Sequence, residues 1–292
     1  MADEAACHVC GAPTVLVGDR TSAFSGRTYQ VRQCPVCWFS FVANPWTAYD
    51  QIYSEQYYEG RGADPTVDYG FEFRSPEAAV RQYEWRGLDS AVRSLVPVAS
   101  GTRWLDFGCG NGGLVRYLRA AGCEGAFGYD TGSMAEVARR AGLPILTDES
   151  LASADRSFDI VTMVEVIEHV PEPLPLLGRV RRLLKPGGLL FLTTGNAAPF
   201  RGRLLDWSYV RPDVHVSFFE PSTLARALEA TGFRPEYSGW RPGHADIIRF
   251  KVLKAFGVRR TSVWERMLPW SLMARVVDAR LSVSGHPIGW AR

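Results

Sequence analysis

The stretch that decides the fold is LDFGCGNGG, residues 105–113. Gly108, Gly110 and Gly113 give it the spacing G-x-G-x-x-G, between a short predicted strand and a helix that Gly122 ends. Residues without a side chain let a ligand approach the backbone, and the first turn of the helix offers that ligand free N–H groups. The stretch therefore predicts a nucleotide-like ligand at the end of a strand.

Strand and helix patterns alternate from residue 102 onward. The run 158–164 is apolar and rich in β-branched residues, as expected for a strand in the middle of a parallel sheet. Shorter strand patterns lie at 103–107, 189–194 and 234–240, with helical patterns between them. Such alternation predicts an α/β fold with a doubly wound, mostly parallel sheet that binds ligands at its carboxyl edge.

Two acidic residues near the glycines narrow the choice of ligand. Asp130 follows the second predicted strand, about twenty residues after Gly110, where the hydroxyls of a ribose are bound in dinucleotide sites. S-adenosylmethionine sites use the same arrangement, so Asp130 leaves both ligands open. Asp106 precedes the first glycine, where a carboxylate would repel a pyrophosphate but could meet a cationic ammonium. Asp106 therefore favours S-adenosylmethionine.

Residues 105–112 resemble the cofactor motif of the class I S-adenosylmethionine-dependent methyltransferases. Ser157–Val161 and Leu183–Gly188 resemble the family's fourth strand and the entry to its fifth. The resemblance implies methyl transfer and a seven-stranded sheet that ends in an antiparallel pair, with 234–240 and 288–291 as candidates. Asp148 or Glu149 would lie beside the adenine amine. The cofactor-binding residues that it implies are Asp106, Gly108, Cys109, Gly110, Asn111, Gly112, Asp130, Thr131, Asp148 and Glu165.

Four of the six cysteines form two Cys-x-x-Cys pairs near the start of the chain, Cys7 with Cys10 and Cys34 with Cys37. This spacing is typical of a zinc ribbon, in which each pair presents two thiolates to one ion. A site closed by four sulfurs leaves no position for a substrate, so we expect a structural zinc that stabilises folding. The alternative is two unrelated pairs of free thiols.

An N-terminal ribbon on such a catalytic domain resembles a bacterial methyltransferase group associated with glycans and natural products. That resemblance implies a small-molecule or saccharide acceptor, although certain ribosomal-RNA methyltransferases also carry a ribbon. Here the ribbon is poor in lysine and its arginines, Arg20, Arg27 and Arg32, are scattered, which disfavours nucleic acid as a partner. RNA methylation, a catalytically inactive cofactor-binding scaffold and a dehydrogenase remain as alternatives.

The segment EVIEH, residues 165–169, directly follows the strand at 158–164. One helical turn would gather Glu165, Glu168 and His169 on one face. With His215 they resemble the Glu-x-x-Glu-His and distant-His pattern of metal-dependent O-methyltransferases, which include ubiquinone-pathway enzymes and small-RNA 2′-O-methyltransferases. The resemblance implies a second divalent ion, held by Glu165, Glu168, His169 and His215, that draws an acceptor hydroxyl towards its alkoxide form.

A metal-free interpretation of His215 is also open. The tunable pKa of histidine suits proton transfer near neutrality, and Glu168 and His169 would then organise the acceptor. A purely structural role for His215 is a third interpretation. We predict methylation at oxygen, with His215 as the base and with Glu168 and His169 as the other catalytic residues.

Two further segments have two interpretations each. Residues 196–211 contain Phe200, Trp207 and Tyr209 among arginines, and they either line the acceptor pocket or pack in the core. Residues 243–282 contain helical segments with apolar side chains, and they form either an amphipathic lid or a plain packing insertion.

The chain divides into a ribbon module at 1–43, a connector with N-terminal helices at 44–98 and a cofactor-binding domain at 99–292. Lys and Arg total 33 against 31 for Asp and Glu, so binding to nucleic acid or to an anionic membrane would need a local patch. No apolar run is long enough to span a bilayer, and the acidic start Met1–Glu4 is unlike a signal peptide. We expect a cytoplasmic protein that could form a homodimer.

Overall fold

Two β-sheets organise the part of the chain that the computed structural model describes, which is residues 5–64, 68–237, 240–281 and 288–291. The larger sheet has seven strands and the smaller has four. The amino-terminal elements are β1 (Val15–Thr21), β2 (Thr28–Gln33), β3 (Ser40–Val42), α1 (Tyr49–Ile52), α2 (Glu55–Tyr58), α3 (Tyr69–Arg74) and α4 (Arg81–Arg93).

The remaining elements follow the connector. The central ones are β4 (Trp104–Phe107), α5 (Gly113–Ala120), β5 (Ala126–Tyr129), α6 (Ser133–Arg140), β6 (Ile145–Leu146), α7 (Asp148–Ala152), β7 (Phe158–Val164), α8 (Pro173–Leu183) and β8 (Leu184–Thr193). The last ones are β9 (Ser217–Phe218), α9 (Pro221–Ala230), β10 (Pro235–Tyr237), α10 (His244–Ala255), α11 (Val263–Arg266), α12 (Trp270–Leu281) and β11 (Ile288–Ala291). Short 3₁₀ helices lie at Ile167–His169, Ala198–Phe200 and Leu204–Asp206.

The larger sheet has the strand order β10-β11-β8-β7-β4-β5-β6. The five strands from β8 to β6 in this order are parallel, and β11 and β10 are antiparallel to their neighbours. Leu177 and Leu224 of α8 and α9 belong to one apolar cluster, and Leu88 and Leu118 of α4 and α5 belong to another. Helices therefore cover both faces, and the expected doubly wound, mostly parallel seven-stranded sheet is confirmed.

One strand boundary differs from the sequence expectation. The strand expected at 189–194 begins at Leu184, because the turn at Pro186–Gly188 is absorbed as an irregularity of the strand, with φ of +76° at Gly187. In the connector, α4 begins only at Arg81. The residue before it bonds to a distant segment instead, since the N–H of Val80 donates to the carbonyl oxygen of Arg259.

The smaller sheet joins the cysteine-bearing module to the rest of the chain. Its order is β1-β2-β3-β9, so three strands come from the module and β9 comes from the segment after His215. Ser40 pairs with Phe218 and Phe41 with Ser217 in an antiparallel ladder. The module expected at 1–43 is thus a contiguous stretch of sequence, but its strands share one sheet with β9 of the larger domain.

The segment 243–282 contributes both core and surface within its described part. Ile247 and Phe250 of α10 are buried. Gly243 packs closely against α4: a Cβ on Gly243 would lie 2.1 Å from the carbonyl oxygen of Gly87. Trp264 and Met267, in contrast, are exposed. Among the described residues, none of the helices has both the length and the apolar character needed to cross a bilayer.

Candidate active site

The glycine turn after β4 adopts a backbone that only glycine accommodates easily. The φ angles are +84° at Gly108, +53° at Gly110 and +72° at Gly112, all in the left-handed region. A Cβ at Gly108 would also lie 2.3 Å from Cγ2 of Val166, which would force that side chain to move. Cys109 is buried under the turn and packs against Gly128.

Asp106 lies near the end of β4 with its carboxyl group buried. Oδ1 accepts a hydrogen bond of 2.8 Å from the Thr162 hydroxyl on the neighbouring strand β7. Burial raises the pKa of Asp106 to about 7, and the nearby Asp130 contributes in the same direction. A cationic ligand group placed beside this carboxylate would be stabilised by it.

Asp130 directly follows β5 and contacts the glycine turn. Its carboxylate accepts hydrogen bonds from the backbone N–H groups of Gly110, at 2.9 Å, and Gly132, at 2.7 Å. Thr131 and Asp148 lie with it along an open pocket of about 350 Å³. Three of the residues predicted to bind the cofactor thus border one depression at the carboxyl edge of the sheet.

Tyrosines of the connector cover the glycine turn, which the sequence did not predict. A Cβ at Gly110 would lie 3.0 Å from the Tyr69 ring, and the Tyr58 hydroxyl lies against Gly132. The side-chain amide of Asn111 donates to the carbonyl oxygen of Tyr69 at 3.0 Å. The signal in the sequence was the abundance of tyrosine between residues 44 and 69.

Glu165 follows β7 with a φ of +54°, a conformation uncommon for a residue with a side chain. Its Oε1 accepts a hydrogen bond of 3.0 Å from Thr193 and pairs at 3.1 Å with Nζ of Lys251 on α10. Its Oε2 accepts a bond of 3.1 Å from the Tyr209 hydroxyl. With this backbone conformation the carboxylate faces a partly buried lysine.

Glu168 is completely buried in the 3₁₀ helix that follows. Its Oε1 accepts from the Tyr209 hydroxyl at 2.6 Å, and its Oε2 accepts from the Thr194 hydroxyl at 2.8 Å. Burial, together with the negative charge of Glu165, raises the pKa of Glu168 to about 8. Its carboxyl group is held in one orientation by two hydroxyl donors.

His169 and His215 meet beside Glu168, with ring centroids 4.9 Å apart. Nδ1 of His215 lies 2.7 Å from the carbonyl oxygen of Tyr209, so that nitrogen carries the proton and Nε2 keeps its lone pair. Nδ1 of His169 lies 3.0 Å from the Tyr53 hydroxyl. Burial and the neighbouring His169 lower the pKa of His215 to about 3, so its ring is neutral.

Glu168, His169 and His215 form one cluster whose ligating atoms all lie within 4.8 Å of one another. Ligands at about 2.1 Å from one divalent ion are up to about 4.2 Å apart, so small side-chain shifts would suffice to hold it. A carboxylate and two neutral imidazoles are also a common donor set for such an ion. The single helical turn expected to gather Glu165 with them is instead a 3₁₀ helix that starts after Glu165.

The four cysteines of the module also converge, and their sulfur atoms all lie within 4.8 Å of one another. Sγ of Cys7 is 3.5 Å from Sγ of Cys37, and Sγ of Cys10 is 3.5 Å from Sγ of Cys34. Thiolates at about 2.3 Å around one tetrahedral zinc are about 3.8 Å apart. The four sulfurs therefore fit one zinc ion.

The cysteine-bearing module reaches the histidine cluster through Asp213. The hydroxyls of Ser22, Ser25 and Tyr29, all in the module, donate to its carboxylate. Two residues after His215, β9 begins the ladder with β3. The segment that carries His215 is therefore held on both sides by the module.

Comparison with known proteins decides the family. Residues 80–238, which are more than half of the chain, match the family described as "Methyltransferase domain". The chain belongs to the class I S-adenosylmethionine-dependent methyltransferases. The resemblance seen in the glycine turn and in the later strands is thereby confirmed.

Curated relatives of this methyltransferase include ubiquinone biosynthesis O-methyltransferases. That of Cereibacter sphaeroides is 42% identical over 108 residues, which are 34% of this chain and 43% of the relative. That of Bordetella pertussis is 32% identical over 154 residues, which are 47% of this chain and 64% of the relative. The match thus spans about two fifths to two thirds of these relatives.

A solved structure of Haemonchus contortus phosphoethanolamine N-methyltransferase 2 shares the fold of this methyltransferase. The TM-score is 0.50 at 16% identity, over 86% of this chain and 60% of the other. A putative methyltransferase in complex with the Haloferax volcanii Trm112 activator gives 0.50 at 19% identity, over 77% and 92%. At such identities the likeness establishes the fold alone.

Three residues that contact the site went unnoticed in the sequence. They are Tyr53 beside His169, Thr194 beside Glu168 and Lys251 beside Glu165. Tyr209 belongs to the segment expected either to line the acceptor pocket or to pack in the core, and it contacts both Glu165 and Glu168. Trp207, from the same segment, is buried and stacks on Phe200.

Proposed function

We propose that this methyltransferase transfers the methyl group of S-adenosylmethionine to a hydroxyl group of a small-molecule acceptor. The observation that carries the proposal is the cluster of Glu168, His169 and His215, in which Glu168 and His215 are buried and His169 is partly buried. It lies at the carboxyl edge of the sheet that also carries the glycine turn. The names of the curated relatives support oxygen as the methylated atom.

The cofactor would occupy the glycine turn and the pocket beside it. Asp106 would pair with the ammonium group of the methionine moiety, and Asp130 and Thr131 would meet the ribose hydroxyls. Asp148, which lines the open pocket, would face the adenine. Gly108, Gly110 and Gly112 would let the cofactor approach the backbone closely. Cys109 packs against Gly128 and Asn111 is bonded to the carbonyl oxygen of Tyr69, and both would keep the turn in shape. Glu165 would lie at the methionine end.

In the reaction, the acceptor oxygen attacks the methyl carbon in line with the carbon–sulfur bond, and S-adenosylhomocysteine leaves with the bonding electron pair. The hydroxyl proton must depart in the same step or just before it. Nδ1 of His215 is committed to the carbonyl oxygen of Tyr209, so Nε2 carries the only lone pair of the ring. In the metal-free interpretation that lone pair would take the proton; with a cation bound it would be a ligand, and the proton would pass to solvent water. Positioning of the acceptor would supply much of the acceleration.

We further propose that Glu168, His169 and His215 hold a divalent cation. A bound divalent cation would lower the pKa of the acceptor hydroxyl. A histidine whose pKa is lowered to about 3 is a weak base by itself, which favours the cation over the metal-free interpretation. Tyr209 and Thr194 would orient Glu168, and Lys251 would keep Glu165 away from the cluster.

The cysteine cluster is proposed to hold a structural zinc ion. Its four sulfurs leave no ligand position for a substrate, so its role would be to stabilise the module and the segment of His215. The absence of disulfides among the described cysteines supports a reducing location such as the cytoplasm. A natural-product or saccharide acceptor, an acceptor other than nucleic acid, and a homodimer remain predictions.

The decisive experiment is methylation of a small-molecule extract with labelled S-adenosylmethionine and mass detection of the products. We expect a labelled methyl ether with the wild-type chain and none with His215→Ala. The matched control is Leu16→Ser, an exposed residue on β1. Labelled products from RNA only, or tight binding of S-adenosylhomocysteine with no transfer to any extract, would contradict the proposal.

A further inference from the structure

Six large apolar side chains are exposed along the segment from the end of α10 to the first turn of α12. Trp264 is 81% exposed, Phe256 82% and Met267 71%, which are extreme values for such side chains. The six are Phe256, Val263, Trp264, Met267, Leu268 and Leu272. We call this set the apolar surface.

The apolar surface is held outward by a buried charge. Glu265, in the middle of α11, is buried and pairs with Arg249 of α10, and it accepts a hydrogen bond of 2.7 Å from the Tyr83 hydroxyl. Its carbonyl oxygen accepts a bond of 2.6 Å from the indole of Trp270. The buried side chain of Glu265 fixes the rotation of α11 about its axis, and in this orientation the flanking Trp264 and Arg266 are exposed.

Charge of one sign accompanies the apolar surface. Residues 256–275 contain four exposed arginines, Arg259, Arg260, Arg266 and Arg275, and a single acidic residue, the buried Glu265. Arg259 pairs with Asp68 at 2.9 Å, so the other three arginines carry the excess positive charge of the segment. Exposed tryptophan and leucine between arginines are the composition of segments that lie in a membrane interface. The net charge of the whole chain is thus close to zero, but this segment has a local excess of positive charge.

We propose that the apolar surface docks on an anionic lipid bilayer, with Trp264, Met267 and Leu272 in the interface. Arg260, Arg266 and Arg275 would lie against lipid phosphates. The arginines distinguish this occupant from a second copy of the chain. A two-fold interface would bring the same patch against itself and so oppose like charges. No helix crosses the bilayer in this arrangement, and the contact is reversible.

The test is co-sedimentation of the full chain with lipid vesicles, either phosphatidylcholine alone or an equal mixture with phosphatidylglycerol. We expect binding to the mixed vesicles only, and weaker binding in high salt because screening shortens the reach of the arginines. Arg266→Gln should weaken binding by roughly fivefold, the value of about one arginine at an anionic surface.

Two multiple variants complete the test. Trp264→Ser with Met267→Ser should abolish vesicle binding, whereas the control Val15→Ser with Leu16→Ser, exposed residues of β1, should bind like the wild type. Failure of the wild type to sediment with either vesicle, or unchanged binding of the first variant, would overturn the proposal. So would a wild-type dimer in sedimentation velocity that the first variant converts to monomer. These measurements do not involve methyl transfer, so their outcome neither supports nor contradicts the proposed reaction.

Discussion

The Tyr29 hydroxyl of the cysteine-bearing module donates a hydrogen bond of 2.7 Å to Oδ1 of Asp213, two residues before His215. Both side chains are buried, and burial together with the bond to Asp213 raises the pKa of Tyr29 to about 12, so the tyrosine remains a donor. The module therefore contributes directly to the position of the segment that carries the proposed catalytic histidine.

Tyr29→Phe should impair turnover more than cofactor binding. A hydrogen bond to a buried carboxylate contributes roughly 1.5–3 kcal/mol, and small displacements of a catalytic group slow the reaction by about tenfold or more. We expect kcat to fall about tenfold while the Kd of S-adenosylhomocysteine changes less than about twofold. Calorimetry and steady-state kinetics measure the two. The control is Tyr237→Phe on β10; a parallel loss of affinity would indicate general unfolding instead.

Replacing Cys34 and Cys37 by serine should remove the zinc and disturb the active site. Two of the four sulfur ligands are lost, and β3, which follows Cys37, pairs with β9 beyond His215. We expect about one zinc per wild-type chain by elemental analysis, none in the double variant, and a loss of thermal stability and activity. Cys123→Ala, outside the cluster, should keep its zinc. A zinc-free variant with normal activity would contradict the coupling.

The affinity for S-adenosylhomocysteine should decrease as the pH falls. Asp106 has its pKa raised to about 7, and the ammonium of the ligand requires the ionised carboxylate. Binding from about pH 8 to about pH 6 should therefore weaken roughly tenfold, because the ligand must displace a proton below the pKa. Asp106→Asn should bind weakly at both pH values with no slope. A wild-type affinity independent of pH would assign the ammonium to another residue.

Asp106→Asn should also stabilise the folded chain without ligand. A carboxyl whose pKa is higher in the folded than in the unfolded state lowers stability as pH rises between the two values, here from about 4 to about 7. Above pH 7 the whole cost of ionising the buried carboxyl is present. A rise of the pKa from about 4 to about 7 corresponds to about 4 kcal/mol, so the free energy of unfolding of the variant should rise by up to roughly 4 kcal/mol at about pH 8. Denaturant titration with and without ligand measures it; the gain should vanish near pH 4.

Chelation should separate the two interpretations of His215. If Glu168, His169 and His215 hold a cation, a mild chelator should abolish activity and added magnesium or manganese should restore it. Zinc must be quantified in the same sample, to show that the cysteine cluster has kept its ion. Glu168→Gln should then need much more metal for half-maximal activity. Activity that survives chelation unchanged, but not His215→Ala, would favour the metal-free base.

Much of the fold and of the cofactor site follows from local sequence. The spacing of Gly108 and Gly110, with Asp106 before them, predicted the turn because positive φ angles and close approach require residues without side chains. The run 158–164 predicted β7 to the residue, since a strand buried on both faces must be apolar throughout. The cysteine pairs predicted the cluster because zinc imposes a fixed spacing on its ligands.

Contacts between distant segments could not be predicted in this way. Tyr29 and Asp213 are 184 residues apart, and Tyr209 and Glu168 are 41 apart. Whether His215 joins His169 depends on how β9 pairs with the module, and whether Glu165 joins them depends on Lys251 of α10.

The sequence by itself determined the α/β family, the glycine turn and the two candidate sets of metal-ligand residues, because each depends on a local pattern of residue types. The tertiary structure alone decided that the module holds the segment of His215, that connector tyrosines cover the cofactor turn, and that Glu165 faces Lys251. It also decided that Glu265 turns inward and leaves Trp264 in solvent. These outcomes depend on which surfaces pack together, and packing is set by the whole chain at once rather than by any one stretch of it.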